Sequence, residues 1–445
     1  MNKSWGGKRE RIQEMGIVLV SLVLIGIALP VIFKAAGVFY WEFWRYKYLG
    51  MDLFWEFVYP LIWSGILFVV SLMLLYYLDW YKSLYVMGYL WRMIIILLFF
   101  PFYESTYFEA FDAFVFYSEG VWRFRPFLAL GNATQSMYTV VSWIHGILGP
   151  SYRLVIVIFG TLSWWASIVF DRVLLKEVKE GLRKSFLEVL LFFEPMFLLW
   201  SSHYGKDPLI YVFSIITSLL LYRFSREPSV KNAVWILLSL VPFMYFRFWY
   251  VAIYGAVLYV LWVVYARGRK RVVGAVLGGV VALGGMWGVL SLFGISSLDG
   301  LLLFVVKWSQ AWAHGGAAQT ASITSWGDLV RWYPWMWFTA LFRPLLWDAH
   351  NMFAAYAALV NTGLLAYFLF SLGRLKRMTK EERRLFFLAL VVITIWGGAY
   401  AIVSYQNLGT AVRFRSPIWH WMLIFFTIVG VGTDKEEKER EPECT

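Results

Sequence analysis

Several short polar motifs interrupt an otherwise apolar chain, and each carries residues able to act on a hydroxyl or to hold an anion. Phe111-Asp112-Ala113, followed by Tyr117 and Gly120, puts a carboxylate in a long segment between apolar runs. An apolar surround raises a carboxyl pKa and makes the group a better proton acceptor, so Asp112 could serve as general base toward a hydroxyl. An aspartate in such a place also readily caps a short helix. Glu104, Glu109 and Glu119 are further candidates, and spacing alone does not choose among them. The second motif is Trp200-Ser201-Ser202-His203-Tyr204-Gly205-Lys206-Asp207-Pro208. Pro208 suits the first turn of a helix and Asp207 its N-cap. Lys206 opposes the dipole of that helix end, a conflict that a shared anionic ligand would resolve. His203 could touch the same ligand or simply hydrogen-bond locally, and no metal-ligand spacing surrounds it.

Arginines carry the remaining motifs. Arg247 stands between two apolar runs, Leu341-Phe342-Arg343-Pro344 leads into Trp347-Asp348-Ala349-His350-Asn351, and Asn407-Leu408-Gly409-Thr410 runs on to Arg413-Phe414-Arg415-Ser416-Pro417. Pro417 biases Ser416 toward extended backbone, and an extension back to Arg413 would point Arg413 and Arg415 to one face. Paired guanidiniums can grip phosphate with planar, multi-donor forks. Any one of these arginines could instead snorkel to lipid headgroups.

The elements that must position these groups are set by hydropathy. Hydrophobic residues make up 60% of the 445, with a mean hydropathy of +0.63, more than a soluble core can use. The pattern predicts an all-α polytopic membrane protein, a single integral membrane domain over residues 1–445. About twelve spans of near-bilayer length fall near 16–36, 58–78, 83–103, 151–171, 184–202, 208–224, 231–246, 248–266, 272–294, 351–372, 384–405 and 416–432. The first is long enough to stay as an anchor rather than be cleaved.

Basic clusters orient the spans. Lys3/Lys8/Arg9/Arg11, Arg172 to Lys184, Arg223/Arg226/Lys231, Arg267 to Arg271, Arg374 to Arg384 and Lys435/Lys438/Arg440 all fall on one side under that count. Cytoplasmic loops carry such an excess, so both termini and the charged tail 433–445 are expected inside a cytoplasmic membrane. The outer side then holds the long segments 37–57, 104–150 and 295–350 and every motif above. Segments 37–57 and 138–149 read as interfacial helices. Lys206, Arg247, Arg343, Arg413 and Arg415 run against the topology preference, which favours a ligand over snorkelling. The net charge of +12 is explained by topology, so nucleic acid is not an expected partner. The single Cys444 excludes an intrachain disulfide and a thiolate metal site.

The motif order resembles polytopic membrane glycosyltransferases and polysaccharide polymerases of GT-C type. It runs from Asp-Ala with its Tyr and Gly, through Ser-Ser-X-X-X-Lys-Asp at a span start, an outer Arg, and His314-Gly315-Gly316. Phe-Arg-Pro before Trp-Asp-Ala and Asn-X-Gly-Thr-X-X-Arg-X-Arg-X-Pro complete it. The resemblance covers roughly residues 105–420. It implies a polyprenyl-phosphate or polyprenyl-diphosphate-linked sugar as donor, chemistry on the outer face, and Asp112 in the place of the family's loop acid. Tyr117 stands one residue further from that acid than the family's pattern, and no second acid adjoins it.

The chemistry is consistent with the name. Lys206, Arg247, Arg343, Arg413 and Arg415 could balance charge building on a leaving phosphate, with Tyr117, His203, Asp348 and Asn407 as substrate contacts. No cofactor is required, and a divalent metal is not excluded. The stretch from Gly315 to Ser325 could order over substrate or be a flexible loop. The competing reading is a transporter or flippase, for which Arg92 inside the third predicted span is the best feature; such a cation marks a pathway, snorkels, or pairs with an acid.

Overall fold

The computed structural model describes residues 54–100, 112–178, 182–269, 271–276, 278–280, 284, 295, 297–311, 323–372 and 378–428. The expected first span, residues 37–53, Glu104, Glu109, His314 to Ser322 and the tail 433–445 lie outside them. Among the described residues the elements are helices, with no strand.

Five helices are long and apolar enough to cross a membrane: Phe54–Tyr77, Tyr152–Glu177, Asp207–Arg226, Met352–Ser371 and Lys380–Gln406. They fall on five of the expected spans. Ser83–Phe99, Val230–Phe246 and Trp249–Tyr265 are shorter apolar helices on three more. The expected span 184–202 is broken into Leu182–Phe193 and Pro195–Trp200. Pro195 lacks the N–H that would continue the first helix and is preset for the first turn of the second. The Glu194 carboxylate accepts the N–H groups of Met196 and Phe197, satisfying that new end.

The helices group into two compact units, residues 1–172 with 189–212 and residues 173–188 with 213–445. In the first, the Tyr152–Val173 helix is buried along nearly its whole length. Buried Glu56 caps its start, accepting the N–H groups of Tyr152 at 2.9 Å and Arg153 at 3.0 Å. A carboxylate there complements the positive end of the helix dipole. Near the other end Asp171 sits where the dipole disfavours an anion, and Lys82 at 2.9 Å together with the Tyr85 hydroxyl offsets it. Gly160, Ser163 and Ser167 give this helix small side chains where its neighbours approach.

In the second unit the Lys380–Gln406 helix is central, packed against Trp326–Phe342, Trp249–Tyr265, Trp419–Thr427 and Leu298–Ala311. A reciprocal cap starts it: Thr379 Oγ1 accepts from Glu382 N at 3.2 Å, and Glu382 accepts from Thr379 N at 2.9 Å. A Cβ on Gly397 would lie 3.0 Å from Trp337 Nε1 and one on Gly398 2.9 Å from the Tyr333 hydroxyl. The paired glycines therefore let the aromatic Trp326–Phe342 helix close on this one.

Candidate functional site

The turn from Ser201 to Lys206 gathers polar contacts from several segments of the first unit. Ser201 and Ser202 accept from one nitrogen of Arg92, Nη1, at 2.9 and 3.0 Å. His203 Nδ1 donates to the Trp200 carbonyl at 2.8 Å, so its Nε2 is the atom facing Asp207 Oδ2 at 3.4 Å. The His203 ring and the Asp207 carboxylate are both buried. Gly205 is obligatory here, because a Cβ would come within 2.3 Å of His203 Nε2. Asp207 is the first residue of its helix rather than the cap beyond it, and Pro208 follows in the first turn. Lys206 supplies the carbonyl that accepts from Ile210 N at 3.0 Å.

Tyr204 turns the other way, into an aromatic group. Its ring stacks on Tyr152 at 4.7 Å, and His145 Nε2 lies 3.1 Å from its hydroxyl. His145 Nδ1 faces the Gly149 carbonyl at 3.0 Å, and burial lowers the His145 pKa against that bond. The ring is therefore neutral at pH 7, with Nδ1 the donor and Nε2 the acceptor of the Tyr204 O–H. Tyr117 meets His145 edge-on at 5.3 Å, and burial followed by the Glu56 charge pushes its phenol up. Tyr117 is thus a buried packing and hydrogen-bonding group in this state.

Asp112 opens the Asp112–Trp122 helix and is solvent-exposed. One turn on, Phe116 lies on the same face, and the Lys206 ammonium stands 5.4 Å from the centre of its ring. Lys206 also donates to Thr134 at 3.3 Å. Tyr138, one turn beyond Thr134, meets Phe116 edge-on at 5.9 Å. Burial first, then the charge of Glu119, raise the Tyr138 pKa against Arg125. The helix opened by Asp112 and the turn holding Lys206, far apart in the chain, thus meet at the Phe116 and Tyr138 rings, one aromatic patch of the first unit. Glu119 is engaged elsewhere, with Arg125 at 2.9 Å. Gly120 lets the two helices touch, since a Cβ would sit 2.3 Å from Val141 Cγ1.

The second unit holds the four arginines. Arg343 forms a two-pronged pair with Asp348, Nε to Oδ2 at 3.0 Å and Nη2 to Oδ1 at 2.6 Å, under the Trp335 ring at 5.1 Å. Asp348 also accepts from Leu345 N at 2.8 Å. Burial alone would raise the Asp348 pKa, but the Arg343 and Leu345 hydrogen bonds outweigh it and hold the carboxyl below its ordinary value. Arg415 donates to Ala411 O and Leu341 O, each at 3.0 Å, and to Arg343 O. Arg247 is buried against the Phe414 ring at 4.5 Å, with the Tyr400 hydroxyl 3.4 Å away.

The extended backbone expected before Pro417 is replaced by the Leu408–Arg415 helix and a 3-10 turn over Ser416–Ile418. Asn407 starts that helix, its Oδ1 accepting Thr410 N at 3.0 Å, and Pro417 falls in the first turn, where it needs no N–H. Side chains two apart on a helix diverge, so Arg413 and Arg415 do not share a face. Asn-X-Gly-Thr is a helix cap: Gly409 keeps the approach open, a Cβ there lying 3.3 Å from Asn407 Oδ1.

Glu56, Tyr138 and Glu194 were not picked out from the sequence. For Glu194 a signal existed, a carboxylate directly before proline. For Tyr138 the only signal was helical spacing. Among the described residues no three or more His, Cys, Asp or Glu gather as metal ligands. Comparisons of the chain with family models, curated proteins and solved structures gave no match.

Proposed function

We propose that this chain is a GT-C type membrane glycosyltransferase with about twelve spans. It would move a sugar or oligosaccharide from a polyprenyl-phosphate or polyprenyl-diphosphate carrier to an acceptor on the outer face of the cytoplasmic membrane. The observation that carries the reading is the aromatic patch of the first unit, where Lys206 stands against the Phe116 ring of the helix that Asp112 opens. In the proposed step the Asp112 carboxylate takes the acceptor's hydroxyl proton as that oxygen attacks the anomeric carbon. The bond from that carbon to the carrier phosphate breaks, and the phosphate leaves with the electron pair. Lys206 balances the charge that builds on it. In the second unit Arg343 and Arg415 are engaged in holding the turn from Leu341 to Asp348.

The test is turnover of a polyprenyl-phosphate sugar by the full chain in proteoliposomes. Asp112→Asn cannot accept the proton, so turnover should fall by about a hundredfold or more with donor binding retained. Parental turnover in that variant removes the base. Topology is checked separately in a Cys444→Ser background: a cysteine at Thr134 should label from outside and one at Ser229 should not.

The transporter or flippase reading is favoured by one observation, the complete burial of Arg92 without a carboxylate partner among the described residues. Carrier-dependent release of an anionic substrate across the bilayer, in the absence of any transfer product, would select it.

A further inference from the structure

Arg92 does not snorkel, and among the described residues it pairs with no acid. It is 0% exposed, and among the described residues its hydrogen bonds run from Nη1 to the Ser201 and Ser202 hydroxyls. Its Nε and Nη2 have no hydrogen-bond partner there. Nε and Nη2 carry the two N–H groups of one edge of the guanidinium, the edge that grips two oxygens of a phosphate or carboxylate side by side. The two serines hold the opposite side and so aim the open edge. A buried cation left in that condition is strongly unfavourable, and a fold keeps such a cost where function uses it.

The surroundings are those of a site. A π-helical turn, Ile95–Phe99, follows the Arg92 helix directly, an irregularity common at functional positions. On the facing side the short Pro195–Trp200 helix ends at Ser201, which brings the two serine hydroxyls to the guanidinium. The Phe197 ring is 5.8 Å away and adds a cation–π contact. A Cβ on Gly160 would meet Ile96 Cδ1 at 2.9 Å and Ser202 Oγ at 3.2 Å, so that wall is as close as glycine permits.

We infer that Arg92, with Ser201 and Ser202, is a second anion site of the first unit, one that takes a phosphate group through the Nε/Nη2 edge. It is separate from the Asp112 and Lys206 patch and holds under either functional reading. The Nε/Nη2 edge is closed to solvent in this state, so the phosphate enters through a local opening. Its source is a lipid phosphate or free phosphate, two cases that present the same oxygens to the same fork.

The test is the thermal midpoint of the full chain in detergent at constant ionic strength, with chloride exchanged for inorganic phosphate and, separately, with dodecyl phosphate added to the micelles. A ligand that binds the folded state raises the midpoint, so at least one arm should do so in the parent. Arg92→Met should match or exceed the parental midpoint in chloride, because it removes a buried charge while keeping bulk, and should lose the phosphate response. Arg92→Lys keeps the charge without the fork and should raise the half-saturating phosphate concentration by about tenfold or more, the worth of one charged hydrogen bond; it carries the test if the Met variant does not fold. A response to dodecyl phosphate alone assigns the site to lipid. No response in either arm, or an unchanged response in the variants, overturns the site.

Discussion

Arg415 in the second unit and Arg92 in the first are both nearly sealed from solvent, 3% and 0% exposed, yet they are held in opposite ways. Arg415 reaches the carbonyls of Leu341, Arg343 and Ala411, which pins the start of the Arg343 turn to the Leu408–Arg415 helix. Arg92 meets two hydroxyls along one nitrogen and leaves its fork open. Burial alone therefore does not separate a structural arginine from a binding one. What separates them is whether the protein itself fills the donors, since a filled guanidinium cross-links the backbone and an open one carries a cost that a ligand relieves.

The contrast is most exposed to failure at Arg415. Arg415→Met should lower stability by roughly 3 to 5 kcal/mol, because buried carbonyls that lose a charged donor each cost about 1–3 kcal/mol. Urea or thermal denaturation of the detergent-solubilised chain measures it. Tolerance equal to that expected of Arg92→Met would erase the distinction.

Asp348 tests the same turn through pH. Asp348→Asn should cost about 2 kcal/mol at neutral pH, less than a fully sealed ion pair because the site is partly open. The folded-state pKa of Asp348 is depressed, so its contribution is complete above the ordinary carboxylate value of about 4 and is lost as pH falls through the depressed one. The parent should lose this increment on acidification below about pH 4, and the Asn variant should not. Parallel pH profiles would mean that the pair does not hold the turn.

A comparable effect is expected at Gly120, where Gly120→Ala puts a methyl group into Val141. Overpacking of this kind costs about 1–3 kcal/mol. Because the disturbed helix also carries Asp112 and Phe116, turnover should fall alongside the midpoint. A loss of stability with unchanged turnover would detach the aromatic patch from the chemistry.

The smallest is Asn407→Ala, a cap loss of about 1 kcal/mol. If the motif serves only to start the Leu408–Arg415 helix, the midpoint drops slightly and KM for donor and acceptor stays put. A KM change beyond that returns Asn407 to substrate contact and makes the second unit more than a scaffold.

Much of the helical framework was legible from hydropathy, because length and apolar content are properties of a contiguous segment. The Phe54–Tyr77, Tyr152–Glu177, Asp207–Arg226, Met352–Ser371 and Lys380–Gln406 helices fall on spans read that way. The Ser201 to Asp207 motif was legible as a polar turn before a helix, since Asp-Pro chemistry is local. The break at Glu194-Pro195 could have been read on the same grounds. The Leu408–Arg415 helix was not, because the bias that proline places on Ser416 was weaker than the cap supplied by Asn407.

The sequence by itself determined where several long apolar helices lie and which residues could bear charge or accept a proton. It could not decide what those residues do. Arg92, Arg343, Arg413 and Arg415 are alike as letters, and each role depends on carbonyls, hydroxyls and carboxylates brought in by folding, some from distant segments. Only the tertiary structure decided that Arg415 finds backbone carbonyls, that Arg343 finds Asp348, and that Arg92 finds two serines and, among the described residues, nothing for its fork. The physical reason is that a donor's satisfaction is set by distances of about 3 Å, and for Arg92, whose partners come from another part of the chain, those distances are fixed only by packing.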